Sequence, residues 1–90
     1  MVTDALLREI PTFFPNPDKG FALDMSYEET NGAAKAENVA VFKKFKQLQI
    51  AGLLRPVNGT DLYWTAERSG SVVLTDLGQF YHQLASRDCI

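Results

Sequence analysis

The sequence contains one segment long and regular enough for an extended amphipathic helix, at residues 33–51. At about 100° per residue, its large apolar side chains fall within a sector of about 120°, the pattern of a helix that packs on a core along one side. Gly52 follows and predicts the helix end, because glycine readily adopts the left-handed conformation that closes many helices. The fold has to be built around this helix. The apolar side chains in this sector are Val41, Phe42, Phe45 and Leu48, whereas Val39 and Ile50 lie toward the polar side.

The opposite face of this helix is basic, although the whole chain carries a net charge of −2. Residues 33–55 hold five Lys or Arg against one Glu, a balance of +4. Residues 1–32 hold two basic residues against six acidic ones (−4), and residues 56–90 hold two basic residues against four acidic ones (−2). Local charge, not net charge, steers an anionic partner, so the distribution favours a basic binding surface in the middle of the chain. The opposite face carries Ala36, Ala40, Lys43, Lys44 and Gln47.

Length and composition predict a single globular domain over residues 1–90. The apolar share of 46% is ordinary, and no apolar run approaches the roughly 18–20 residues of a membrane span. The N-terminal segment lacks the apolar centre of a signal peptide. The single cysteine, Cys89, has no partner for an internal disulfide. Together these features favour a cytoplasmic protein that does not enter a membrane.

A short helix followed by a loop is predicted at the N-terminus. Residues 3–10 have helical periodicity, and Pro11 is expected to end the helix, because proline has no N–H and disfavours helix in the residue before it. Residues 11–20 contain three prolines and a glycine and predict an irregular loop. Within this loop, Phe13 and Phe14 either plug the core or form an exposed docking patch.

Two short elements are predicted before the long helix. Residues 21–25 alternate apolar and less apolar side chains, which favours a strand. Ser26 and Glu29 have the spacing of a capping box, in which the serine bonds the amide three residues on and the glutamate reaches back. We therefore predict a short helix from Ser26 to about residue 30. Asn31-Gly32 is then predicted to be the tight turn that leads into the long helix.

Residues 54–74 predict a β-hairpin. Strand-forming side chains stand on both sides of a turn sequence, and a second cluster of turn residues marks the hairpin tip. The predicted parts are an extended segment at 54–57, a turn at 58–60, a strand at 62–66, the tip at 68–71 and the returning strand at 72–74.

A C-terminal helix is predicted at residues 75–86, because Thr75 or Asp76 can cap it and four apolar residues share one face. That face fits either core packing or a two-fold interface between two copies of the chain. His82 faces away from part of it and is therefore expected on the surface. The apolar face consists of Leu77, Phe80, Tyr81 and Leu84.

This order of elements resembles a winged helix-turn-helix. Residues 48–54 (LQIAGLL) resemble the helix end that precedes the wing in such proteins. Residues 73–79 (VLTDLGQ) resemble the leucine-threonine-x-x-glycine signature that leaves the wing in multiple-antibiotic-resistance-type and phenolic-acid-type transcriptional regulators. The likeness covers residues 33–86. It implies an α+β fold with a three-helix core, a small antiparallel β-sheet wing and a C-terminal helix.

The resemblance implies a small transcriptional regulator that binds duplex DNA. The helix at 33–51 would enter the major groove, and the wing would contact phosphate or the minor groove nearby. Lysines would contact phosphates, and amide side chains could read adenine. Such regulators dimerise through their terminal helices, so a homodimer is expected. The candidate DNA-binding residues are Lys35, Asn38, Lys43, Lys44 and Gln47 on the helix, with Arg68, Ser69 and Ser71 in the wing.

A second class of function stays open, namely a winged-helix module that binds another protein, for example as a small inhibitor or accessory protein. The acidic net charge favours it, as does a predicted wing in which Glu67 stands beside the single arginine. The candidate contacts would then be Phe13, Phe14, Val39, Ile50, Tyr63 and Trp64.

The sequence does not predict an enzyme. His82 is the only histidine and Cys89 the only cysteine, whereas a structural zinc site needs four nitrogen or sulphur ligands. The glycines are too scattered to form a phosphate-cradling loop. We therefore expect no catalytic residue, no bound metal and no cofactor.

Overall fold

The computed structural model describes residues 2–30, 32–57 and 61–89, and over these ranges the chain has an α+β fold. Within them, four α-helices accompany a three-stranded antiparallel sheet. Among the helices in the same ranges, none combines the length and the apolar character of a membrane span. In chain order the elements are α1 (Asp4–Phe13), β1 (Phe21–Ala22), a 3-10 turn (Met25–Tyr27), α2 (Ala36–Ile50), β2 (Leu54–Pro56), α3 (Leu62–Glu67), β3 (Ser71–Leu74) and α4 (Asp76–Ser86).

The sheet has β3 at its centre, paired antiparallel with β1 on one side and with β2 on the other. Phe21 of β1 lies opposite Val72 of β3. Side chains alternate across a strand, so Val72 and Leu74 are buried while Ser71 and Val73 are only half-buried. Pro56 lies on the edge strand β2, where its missing N–H breaks no ladder. The strand predicted at 72–74 is confirmed.

Phe45 of α2 forms the centre of an aromatic cluster in the core. It is fully buried, and its ring centroid lies 4.9 Å from that of Phe21, 5.2 Å from that of Phe13 and 6.0 Å from that of Phe14. Aromatic contacts of this kind contribute about 0.5–1.5 kcal/mol per pair beyond apolar burial. Of the two sequence alternatives for Phe13 and Phe14, the core plug is confirmed.

α1 does not end at Pro11, so the predicted loop at 11–20 is shorter. The helix continues to Phe13, and the amide of Phe14 still donates to the carbonyl of Ile10 at 2.9 Å. A proline inside a helix costs about 3 kcal/mol. Ile10 and Phe14 are almost completely buried, and each such side chain contributes about 1.5–3 kcal/mol. Packing on the core therefore outweighs the proline.

α2 begins three residues later than predicted, at Ala36 instead of residue 33. The backbone N–H of Lys35 bonds back to the 3-10 turn, at the carbonyl of Ser26, so the residues before Ala36 belong to the connection. The helix ends at Ile50, and Gly52 adopts a left-handed φ of 81°, as the sequence predicted. Of the tight turn predicted at 31–32, Asn31 lies outside the described residues.

The helix α3 spans Leu62–Glu67, so the strand predicted at 62–66 is wrong. Asp61 caps this helix, because its Oδ1 accepts a hydrogen bond from the N–H of Trp64 at 2.8 Å. The buried residues Leu62, Thr65 and Ala66 have the i, i+3, i+4 spacing of a helix face. Aromatic residues in this segment suggested a strand, but the cap and the burial pattern favour a helix.

The predicted hairpin tip at residues 68–71 is instead the turn that closes α3. Ser69 adopts a left-handed φ of 54°, and the N–H of Gly70 donates to the carbonyl of Thr65 at 2.8 Å. The chain then enters β3, so β2 and β3 are connected through α3 instead of through a simple hairpin. The turn predicted at 58–60 lies outside the described residues.

α4 packs against the core through Gly78 and His82, so the prediction of a surface histidine is wrong. Nε2 of His82 lies 2.8 Å from the carbonyl oxygen of Phe14. Because a carbonyl can only accept, the imidazole donates from this nitrogen. The bond satisfies a backbone group at the end of α1 and ties α1 to α4.

We expect Gly78→Ala to destabilise the fold, although alanine is the better helix former. The added Cβ would lie 1.9 Å from the carbonyl oxygen of Leu53, so the backbone before β2 would have to move. Overpacking costs about 1–3 kcal/mol and occasionally more, against a gain of about 1 kcal/mol in helix propensity. A 1.9 Å contact with a backbone atom corresponds to the upper end of that cost, so the free energy of unfolding, measured by chemical denaturation, should fall by about 2 kcal/mol once the gain in propensity is subtracted.

Gly32→Ala is the matched control for this substitution. A Cβ at residue 32 meets no heavy atom within 4 Å, so the change should stay within about 0.5 kcal/mol. Equal effects of the two substitutions would contradict the close packing of α4 on Leu53.

Candidate nucleic-acid interface

A short hydrogen-bonded turn holds the start of α2 in place. Oδ1 of Asp24 accepts hydrogen bonds from the N–H of Ser26, at 2.8 Å, and from its hydroxyl. Nδ2 of Asn38 donates to Oγ of Ser26 at 2.8 Å, and the N–H of Lys35 donates to the Ser26 carbonyl at 2.9 Å. Asn38, predicted as a candidate for reading bases, therefore clamps the turn to the first part of α2.

The capping box predicted at Ser26 is replaced by two separate local motifs. Asp24 is the N-cap of a 3-10 turn that spans Met25–Tyr27. Glu28 is almost fully buried, and its Oε2 accepts hydrogen bonds from the N–H of Thr30, at 3.1 Å, and from the Thr30 hydroxyl. The predicted helix from 26 to about 30 is therefore shorter, because these side chains bond the backbone in a non-helical conformation.

The same hydrogen bonds change the ionisation of Asp24. The hydroxyl of Ser26 and then its N–H hold the pKa of Asp24 below its ordinary value, and Lys35 adds a smaller effect. Each of these groups stabilises the charged carboxylate. In the same turn, burial raises the pKa of Tyr27. The ionised carboxylate of Asp24 is thus part of what holds the turn together.

The outward face of α2 is a stripe of five exposed side chains spaced three or four residues apart. Two alanines at its beginning allow a close approach to another backbone, and a lysine and a glutamine supply polar groups in the middle. The isoleucine at its end keeps 87% of its surface exposed. This α2 stripe consists of Ala36, Ala40, Lys43, Gln47 and Ile50.

Two of the predicted phosphate-binding lysines form ion pairs with carboxylates from elsewhere in the chain. Nζ of Lys43 lies 3.6 Å from Oε2 of Glu29, and Nζ of Lys44 lies 2.8 Å from Oε1 of Glu9. The four side chains are 39–63% exposed, and pairs of this kind contribute about 0–1 kcal/mol. The sequence offered no signal for these partners, because they belong to elements that only the fold brings next to α2.

The three predicted wing residues lie together on the turn between α3 and β3. The guanidinium carbon of Arg68 lies 5.3 Å from the ring centroid of Trp64, a cation–π contact. Ser69 is exposed, and Ser71 is half-buried at the start of β3. α3 packs against the 3-10 turn, which packs against α2. The eight predicted residues therefore form two groups on neighbouring parts of the fold.

α3 also exposes an aromatic pair. Tyr63 and Trp64 keep 44% and 50% of their surface, and their rings meet edge to face with centroids 5.8 Å apart. The sequence named both only as contacts for a protein partner. Their exposure follows from the helical conformation of α3, which buries Leu62, Thr65 and Ala66 and turns the other side outward.

The single histidine and the single cysteine have different surroundings. His82 is buried against Phe14, and Cys89 is a free, exposed thiol near the C-terminus. Over residues 2–30, 32–57 and 61–89, no group of three or more His, Cys, Asp or Glu side chains could hold a metal ion.

We expect the stability supplied by Asp24 to depend on pH. Its pKa is lower in the folded chain, so its contribution is complete above the unfolded-state pKa and is lost as the pH falls through the folded-state pKa. Asp24→Asn keeps an acceptor but removes the charge. The free energy of unfolding of the wild type should exceed that of Asp24→Asn at neutral pH, and the difference should vanish in acid. In a Ser26→Ala background the difference at neutral pH should be smaller, because the hydroxyl that bonds the carboxylate is gone; the same difference at neutral pH in both backgrounds would contradict the proposed hydrogen bonding.

Comparison of the chain with protein-family models, with curated proteins and with solved structures gave no match. The basis for a functional proposal is therefore the geometry of this molecule: an exposed helix face, a clamped turn before it and an aromatic surface on α3.

Proposed function

We propose that this chain is a winged-helix protein that binds duplex DNA by inserting α2 into the major groove. The observation that carries the proposal is the α2 stripe, an exposed helix face that follows a turn clamped by Asn38 and Ser26. A helix presented by a short turn fits the major groove, which is about 12 Å wide. The three-stranded antiparallel sheet beside this helix is compatible with a winged helix.

The side chains of α2 have different roles in this proposal. Lys43 exchanges its loosely held carboxylate partner for a phosphate, and Lys35 and Lys44 add phosphate contacts at the start and flank of the helix. The amide of Gln47 is free to pair with the N6 and N7 edge of adenine. Asn38 positions the helix through the turn instead of reading a base.

α3 and the turn after it replace the hairpin tip of a wing. Arg68 and Ser69 are exposed there and would contact the DNA backbone beside the groove, with Ser71 at the base of the turn. The stacking of Arg68 on Trp64 directs the guanidinium along the surface of α3. Phosphate contacts of this kind set the orientation of the protein and carry no sequence information.

We further propose a small transcriptional regulator that acts in the cytoplasm as a homodimer, because two copies match a two-fold symmetric DNA site. The role is binding, not catalysis, and it requires no cofactor. In support, the single histidine is engaged in the core by the carbonyl of Phe14 and is not presented to a substrate.

Binding of random duplex DNA across a salt series tests the proposal. We expect the affinity to fall steeply as salt rises, because bound phosphates release counterions. Lys43→Gln should weaken binding and reduce the salt slope by about one. Glu29→Gln, which removes the competing carboxylate, should strengthen binding at low salt. Fluorescence anisotropy of a labelled duplex measures all three proteins.

Lys19→Gln is the matched control, because it removes the same charge from an exposed residue in the loop between α1 and β1. Its effect should be clearly smaller than that of Lys43→Gln. Equal effects would indicate a general charge attraction instead of a groove contact at α2. Absence of binding at low salt would refute DNA binding altogether.

A protein partner is the second candidate function, and the exposed aromatic pair on α3 favours it. Tyr63, Trp64 and Arg68 form one surface, and tyrosine, tryptophan and arginine are the residues most enriched in binding hot spots. The chain would then act as an inhibitor or accessory protein. The net charge of −2 is no obstacle to a partner of this class.

Affinity capture from an extract of the source cells tests the second candidate. Truncation of a hot-spot residue costs about 2 kcal/mol or more, so Tyr63→Ala should lose a partner that the wild type retains, while DNA binding hardly changes. Phe80→Ala is the control, because Phe80 on α4 is exposed to a similar extent. A partner retained equally by all three proteins would place the contact elsewhere and contradict this candidate.

A further inference from the structure

The outward side of α2 has a centre and two flanks that differ in chemistry. At about 100° per residue, the five side chains of the α2 stripe fall within about 80°. Lys44 projects about 80° to one side of the midline of the stripe, and Lys46 about 80° to the other. The single carboxylate of α2, all of whose residues the structure describes, is Glu37 in the first turn. The second half of the stripe is therefore bordered by a cation on each side.

The two flanking lysines also contact aromatic rings of their own chain. Nζ of Lys46 lies 4.9 Å from the ring centroid of Phe42, and Nζ of Lys44 lies 6.0 Å from that of Phe13. These cation–π contacts hold the ammonium groups beside the helix instead of over its outward face. When a helix lies in a major groove, phosphates of the two strands stand at its sides and base edges face its outer surface.

The centre of the stripe carries side chains that match A·T base pairs. In the major groove, an apolar side chain contacts the methyl group of thymine, and a glutamine pairs with N6 and N7 of adenine. Guanine is read mainly by arginine or lysine, and cytosine by a carboxylate. The stripe has three apolar side chains and a glutamine, and its five side chains include no arginine and no carboxylate. Its lysine, Lys43, contacts a phosphate in the proposed function.

Gln47 and Ile50 are neighbours on the stripe. Three residues of helix correspond to a rise of about 4.5 Å, close to the spacing of about 3.4 Å between base pairs. Their side chains therefore reach adjacent base pairs. Gln47 is exposed, and Ile50 keeps 87% of its surface exposed although it is apolar.

We propose that the α2 stripe selects A·T base pairs, with Gln47 bonded to adenine and Ile50 packed on the methyl group of a thymine at the adjacent pair. Ala40 lies about 10 Å back along the helix, about three base pairs away, where it contacts a second thymine methyl group. Lys44 and Lys46 contact phosphates on the two sides of the groove without regard to sequence. This inference rests on the proposed DNA binding and adds the class of sequence that is bound.

The arrangement of charge favours duplex DNA over a protein as the occupant of this face. Two lines of phosphates border the major groove, and uncharged base edges lie between them. The α2 face is complementary, because Lys44 and Lys46 stand at its borders and four of the five side chains of the stripe are uncharged.

Three duplexes of equal length test the proposal. The first contains only A·T pairs, the second has deoxyuridine in place of every thymidine, and the third has G·C pairs instead. We expect the wild type to bind the A·T duplex about tenfold more tightly than the G·C duplex. The uridine duplex lacks only the methyl groups, so the affinity for it should fall about fourfold for each methyl contact that is lost. Fluorescence anisotropy measures each affinity at the same salt concentration.

Ile50→Ala identifies the side chain that reads the methyl group. The ratio of affinities for the thymidine and uridine duplexes should fall about fourfold in this variant, because alanine does not reach the methyl group. Leu77→Ala is the matched control, because leucine is an isomer of isoleucine and Leu77 is exposed on α4, and it should keep the wild-type ratio. Lys46→Gln should weaken binding to all three duplexes by the same factor. Circular dichroism shows whether each variant is folded.

The inference and the proposed function can fail separately. A wild type that binds DNA but does not distinguish thymidine from uridine would overturn the inference and leave the proposed DNA binding intact. The same holds for an Ile50→Ala variant that keeps the wild-type ratio. Absence of binding to all three duplexes at low salt would overturn both.

Discussion

The burial of Phe45 holds together the parts of the molecule on which the proposed functions depend. Its ring contacts Phe13 at the end of α1, Phe14 directly after it and Phe21 of β1, so one side chain fixes α2 against two other elements. Removal of a buried phenylalanine typically costs about 3–5 kcal/mol, a large part of the 5–15 kcal/mol that stabilises an ordinary domain. Because the inner face of α2 is held in this way, its outer face remains available to a partner.

The fold also brings together oppositely charged side chains that lie far apart in the sequence. The basic middle of the chain contributes Lys43 and Lys44, and the acidic first third contributes Glu29 and Glu9, which pair with them. The folded surface is therefore less basic than the balance of +4 suggests. These pairs are exposed and weak, so a phosphate backbone could displace the carboxylates. This competition makes DNA binding compatible with an acidic protein, and it also explains why a protein partner remains a second candidate.

Elements with a strong local sequence pattern were predicted well, whereas elements that depend on contacts between distant residues were not. The core face of α2, its stop at Gly52 and the strand β3 follow from periodicity and backbone conformation, which are properties of short segments. Pro11 was wrongly expected to end α1, because the burial of Ile10 and Phe14 cannot be read from the local sequence. The helix α3 was missed for a related reason. Its composition favours a strand, but the Asp61 cap and the burial of one helix face stabilise a helix, and that burial depends on contacts with the rest of the fold. At the candidate site, the exposure of Lys43 and Gln47 followed from the pattern, whereas the clamp from Asn38 to Ser26 required the folded turn.

The C-terminal helix α4 shows most clearly which features the sequence determines and which only the tertiary structure decides. Spacing alone determined that Leu77, Phe80, Tyr81 and Leu84 share one face of α4, and it left open whether this face meets the core or another molecule. In the structure this face is divided: Leu77 and Phe80 are exposed, whereas Tyr81 packs against the core and Leu84 is half-buried. At Gly78 the helix approaches the backbone of Leu53 so closely that there is no space for even a Cβ, and on the same side His82 donates to a buried carbonyl of α1. A close backbone approach and a buried hydrogen bond therefore orient α4, and both depend on residues far away in the sequence.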